Sequence, residues 1–138
     1  MTRIAFVCVG NAGRSQMAAA LAERERDRRG LDVEILSGGT DPAEHVHEEV
    51  VTALGEEGID VSDRTPRRIA APDLAGADYV ITMGCDVGEL LPEGWEGDRR
   101  AWDVPSPHGA GIDGVREQRD DIADRVRDLF DEIEAGSG

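Results

Sequence analysis

At 138 residues the chain has the length of a single domain able to bury a real core. Thirty acidic residues against fifteen basic ones give a formal net charge of −15, which opposes binding to nucleic-acid phosphates and to anionic membrane surfaces. Every basic residue is Arg and none is Lys, a bias that with the acidity fits a halophilic, salt-loving source as well as it fits a merely solubilised surface.

The first apolar run, Ile4 to Val9, is too short for a signal peptide or a membrane span. A cytoplasmic protein is expected, and there Cys8 and Cys85 would not form a structural disulfide. Ile4, Ala5, Phe6 and Val7 read as a strand covered on both faces, placed mid-sheet. Ser15 then starts a helix with Met17, Ala20 and Leu21 on one face, stopped by Gly30. Val33 to Leu36 is a second strand, and Val46, Val50, Val51 and Leu54 mark a second helix ending near Gly58. A short helical piece is expected between Ile69 and Leu74. Asp78 to Met83 is a third strand and Arg99 to Val104 a fourth. Val115, Ile122, Val126, Leu129, Phe130 and Ile133 share one face of a C-terminal helix. Segments 86–98 and 105–114 read as surface loops. The expected organisation is one domain over residues 1–135 and a frayed tail over 136–138. Strands alternating with helices imply an α/β fold, a parallel sheet flanked by helices on both faces.

Cys8 falls where the first strand ends, the edge at which such sheets bind ligands. The loop Val9, Gly10, Asn11, Ala12, Gly13, Arg14, Ser15 can turn successive N–H groups inward to nest an oxyanion, with Gly10 and Gly13 easing the turn. The following helix adds its positive end, and Arg14 offers a planar fork for two oxygens. The same field favours a Cys8 thiolate, to which the Ser15 hydroxyl can donate. A nucleotide-binding reading fails because the required Lys is missing. His45 and His47 are read as surface residues and no metal site is expected.

The segment Cys8 to Ala18, CVGNAGRSQMA, resembles the signature of the low-molecular-weight tyrosine phosphatase superfamily, which includes arsenate reductases of the same fold. Ser37-Gly38-Gly39-Thr40, Gly58-Ile59-Asp60, Ile81-Thr82-Met83 and Trp102 extend the resemblance over nearly the whole chain. It implies a four-stranded parallel sheet in a three-layer sandwich, with Cys8 as nucleophile, Arg14 as oxyanion clamp and Ser15 as thiolate partner. Gln16, where the phosphatases usually have Pro, and Thr82-Met83-Gly84-Cys85 resemble the reductase branch, in which Cys85 would be a second thiol. The resemblance then implies arsenate reduction through a Cys8 adduct, with no bound cofactor and with arsenite released by Cys85 or by an external thiol such as thioredoxin, glutaredoxin or a small thiol. Phosphomonoester hydrolysis through a Cys8 phosphoenzyme is the alternative, and a non-catalytic oxyanion-binding protein a third.

The sequence departs from the family where a general-acid Asp should precede Pro: Ser106 stands before Pro107. Asp103 and His108 are the candidates to replace it, Asp103 the preferred one. No third cysteine lies beyond Cys85, so an outside thiol would have to carry the disulfide's electrons. Trp95 and Trp102 could line the site or pack in the core.

Overall fold

A computed structural model describes residues 2–107 and 109–136. Strands β1 (Thr2–Cys8), β2 (Val33–Gly39), β3 (Tyr79–Met83) and β4 (Asp98–Ala101) form one sheet in the order β2-β1-β3-β4. All neighbours run parallel, and Cys8 is the register partner of Gly39 on one side and Met83 on the other. Helices α1 (Arg14–Arg29), α2 (Glu48–Gly55), α3 (Ala71–Ala75) and α4 (Gly111–Gly136) connect and cover it. Among the described residues no helix is long and apolar enough to cross a membrane.

Alternation along β1 divides the core. Ile4, Phe6 and Cys8 face one layer with residues of α1, α2 and α4, while Ala5 and Val7 face a smaller layer with Ile69, Leu74 of α3, Val80 and Val87. Both faces of β1 are therefore dry, which explains its unbroken apolar run. Full burial of a side chain such as Phe6 contributes about 2 kcal/mol. The chain passes from β2 on one side of β1 to β3 on the other, so the strand order reverses at β1 and opens a crevice at its carboxyl end.

Several boundaries differ from the sequence expectation. Val46 precedes α2, although it packs on the core from outside the helix. The fourth strand ends at Ala101, one residue before Trp102, whose N–H still donates to the Thr82 carbonyl at 2.8 Å; Trp102 and Val104 bury their side chains beyond the strand. Trp102 lies 5.7 Å from Phe6, ring to ring. Trp95 donates its indole N–H to the Ala77 carbonyl at 3.0 Å, so both tryptophans pack. Helix α4 begins at Gly111, inside the expected loop, because its first turn brings Ile112 to the core. At the other end it includes Gly136, assigned to the tail from the sequence; residues 137–138 lie outside the described residues.

Candidate active site

The loop after β1 is shaped by the segment that follows β2. The carbonyls of Cys8, Val9, Gly10 and Ala12 accept bonds of 2.9–3.1 Å from the N–H groups of Thr40, Asp41, Ala43 and His47. With these carbonyls drawn outward, one loop N–H, that of Asn11, turns to the other side, toward sulfur. The approach is so close that a Cβ on Gly39 would collide with the Val9 carbonyl. Glycine is therefore required at that position.

Asn11 holds the turn from within. Its φ of 51° is a left-handed conformation that Asn tolerates better than most residues. Its side chain is completely buried. The Asn11 Oδ1 accepts the Arg67 backbone N–H at 3.0 Å and Gln16 Nε2 at 3.2 Å, which fixes the amide's orientation. Nδ2 then donates to Ser15 Oγ at 2.7 Å, leaving the serine proton for Cys8 Sγ, 2.9 Å away. The Asn11 N–H also donates to Cys8 Sγ, at 3.3 Å. Two donors thus converge on a sulfur that is 2 % exposed.

Cys8, Val9, Gly10, Ala12, Gly13 and Arg14 line one hollow of about 190 Å³. Asn11 and Ser15, expected to be part of the oxyanion loop, are buried behind that lining as its support. Gly13 caps α1 with no side-chain hydrogen bond, so the positive helix end opens on the hollow. Arg14 Nη1 donates to the Val104 carbonyl at 3.0 Å, while its Nε is buried with no partner among the described residues. An unpaired buried donor costs about 1–3 kcal/mol. An oxyanion in the hollow would supply the missing acceptor. Among the described residues no three His, Cys, Asp or Glu side chains gather as a metal site.

The far wall of the hollow is made by Ser106, Pro107 and His47. Ser106 is held through its carbonyl, which accepts Gln118 Nε2 of α4 at 3.3 Å. His47, read from sequence as a surface residue, stands at the site because its backbone is paired with Ala12; no sequence spacing discloses that pairing. His45 is exposed and does not line the hollow. Asp103, the preferred acid, lines a neighbouring cleft of about 540 Å³ with Cys85 and Trp102. His108 lies outside the described residues.

Cys85 follows β3 at the same sheet edge, two residues past Met83, the register partner of Cys8. Its thiol packs with the smaller core layer, however, and donates to the Val7 carbonyl at 3.5 Å, while Cys8 belongs to the opposite layer. Burial pushes the Cys85 thiol above its ordinary value, a Cys8 charge pushes it further, and the Met83 backbone and Arg14 oppose the rise. Both cysteines are free.

The family model described as low molecular weight phosphotyrosine protein phosphatase matches residues 3–137. The chain belongs to this family. Within it, a protein of Halobacterium salinarum named as a putative arsenate reductase is 57% identical over 134 residues, 96% of this chain and 93% of that protein. The thioredoxin-dependent arsenate reductase of Corynebacterium glutamicum has 32% identity and a TM-score of 0.80 over 99% of this chain, which spans 63% of that structure. A solved arsenate reductase described in its phosphate binding state has 29% identity and a TM-score of 0.78, over 96% of this chain and 99% of that one. The four-stranded parallel sheet with flanking helices is the fold of these phosphatase-like neighbours.

Proposed function

We propose that the protein is an arsenate reductase working through a Cys8 thiolate. The observation that carries this reading is the sulfur itself, approached by Ser15 Oγ and the Asn11 N–H at the floor of a hollow where the buried Arg14 Nε awaits an acceptor. The reductase names of its relatives supply the reaction class.

Arsenate enters with its oxygens on the loop N–H groups and the Arg14 guanidinium. The Cys8 thiolate attacks arsenic, a sulfur–arsenic bond forms, and one oxygen leaves as water after taking a proton. A second thiolate then attacks Cys8 Sγ. The sulfur–sulfur bond forms as the sulfur–arsenic bond breaks, and its electron pair departs on arsenic, reducing As(V) to As(III) while two thiols become a disulfide. That second thiol is Cys85 or an external one of the thioredoxin, glutaredoxin or small-molecule type. For Cys85 to serve, it must leave the Val7 carbonyl, lose its proton and approach until the two Cα atoms are within about 7 Å.

The phosphatase alternative uses the same first step with phosphate, which cannot accept the electron pair, so water must release it. Arsenite release distinguishes the two. The wild type should form arsenite beyond one equivalent per enzyme only when a thiol donor is supplied, and Cys8→Ser should abolish release. Hydrolysis of an aryl phosphate without reductant, accompanied by no arsenite under any thiol, would replace the reductase reading with the phosphatase one.

A further inference from the structure

We propose that His47 is the general acid of the Cys8 site, the side chain that protonates the oxygen leaving the attacked centre. The inference rests on Cys8 being the nucleophile, and it assigns the one step for which the sequence offered no placed group.

A leaving hydroxide or alkoxide needs a proton, and the position that should supply it holds Ser106, whose hydroxyl is a weak acid. Asp103 is exposed and lines the Cys85 cleft instead of the hollow. Among the described residues that line the hollow, Arg14 is committed to holding the oxyanion, and Val9, Gly10, Ala12, Gly13 and Pro107 have no side-chain proton to give. Cys8 is spent as the nucleophile. Among the described residues His47 is the remaining lining side chain with a ring N–H to donate.

Its place is built by the fold. The His47 N–H is fixed to the Ala12 carbonyl at 2.9 Å, so the residue moves with the oxyanion loop. The imidazole lies over Gly13, where a Cβ would stand 3.3 Å from His47 Cδ2 and would collide with Pro107 Cγ. Glycine at 13 thus lets the ring and the proline close together over the loop.

In the step assigned to it, the sulfur–arsenic bond forms while an arsenic–oxygen bond breaks. The departing oxygen takes the imidazolium proton and leaves as water, and the imidazole is reprotonated from solvent. No electrons change hands. With an aryl phosphate the same proton goes to the departing phenol oxygen.

The test is transient formation of the Cys8 phosphoenzyme across aryl phosphates of graded leaving-group acidity, for wild type, His47→Gln, His47→Asn, Asp103→Asn and His108→Gln. Circular dichroism checks each variant's fold. Both His47 variants should lose about 100-fold on phenyl phosphate and progressively less as the leaving phenol becomes more acidic, while Asp103→Asn keeps the wild-type slope. An equal loss across the series, no loss, a steeper slope in Asp103→Asn or His108→Gln instead, or no phosphoenzyme in the wild type would overturn the assignment. Arsenite release measured in parallel separates the two readings. A His47-dependent slope without arsenite sinks the reductase and keeps the acid, whereas arsenite with a flat response to His47 does the reverse.

Discussion

Asn11→Ala should damage the protein twice, in stability and in the reactivity of Cys8, and the two effects can be sized from its contacts. Alanine at a φ of 51° costs about 1 kcal/mol relative to a residue suited to the left-handed region. Losing Oδ1 leaves Gln16 Nε2 buried without an acceptor, at about 1–3 kcal/mol. The Arg67 N–H loses the same acceptor but lies on an exposed residue, so water can replace it at little cost. The sum is about 3 kcal/mol, against a total stability of roughly 5–15 kcal/mol, so the variant should fold with a Tm lower by about 10 °C. Losing Nδ2 frees the Ser15 hydroxyl from the bond that aims its proton at sulfur. Alkylation of Cys8 by iodoacetamide, followed in a Cys85→Ser background, should therefore be slower than in the same background with Asn11 intact. Urea unfolding within about 1 kcal/mol of wild type, or undiminished alkylation, would show that Asn11 does not organise the loop.

Gly84→Ala should weaken oxyanion handling from a position outside the loop. The position has a φ of +76° and a Cβ there would stand 2.5 Å from Arg14 Nη1, so kcat/KM should fall about 100-fold as the guanidinium is displaced. Gly94→Ala is the control, with a φ of +82° and open space around it, sharing only the backbone cost of about 1 kcal/mol. Equal activities for the two variants would remove Arg14 as the clamp. Burial favours the protonated form of Cys85, so its thiolate fraction is below that of a free cysteine at each pH. In Cys8→Ser, the pH at which Cys85 alkylation reaches half its maximal rate should exceed that of the same chain in urea, and a midpoint at or below the unfolded one would contradict the burial seen here.

Much of the fold could be read from one sequence because its signals are local. The apolar run of β1 reports burial on both faces, and the seven- and four-residue spacing of Val115, Ile122, Val126 and Phe130 reports the inner face of α4. Element ends were less legible, since they depend on what a residue meets across the molecule. Ile112 draws the first turn of α4 into a Gly- and Pro-rich stretch, and Trp102, just past β4, packs its ring on Phe6.

The same division holds at the site. Sequence alone placed Cys8, Arg14 and Ser15 close together, because a strand end, a glycine-eased turn and a helix start confine the three within eight consecutive residues. Tertiary structure decided everything contributed from a distance: that Arg67 fixes Asn11, that Cys85 faces the layer opposite Cys8, and that Asp103 and His47 lie on the reverse of their expected sides. The reason is that a short loop is bounded by its own covalent geometry, whereas His47 reaches the hollow through a backbone bond to Ala12, thirty-five residues earlier, that no side-chain pattern encodes.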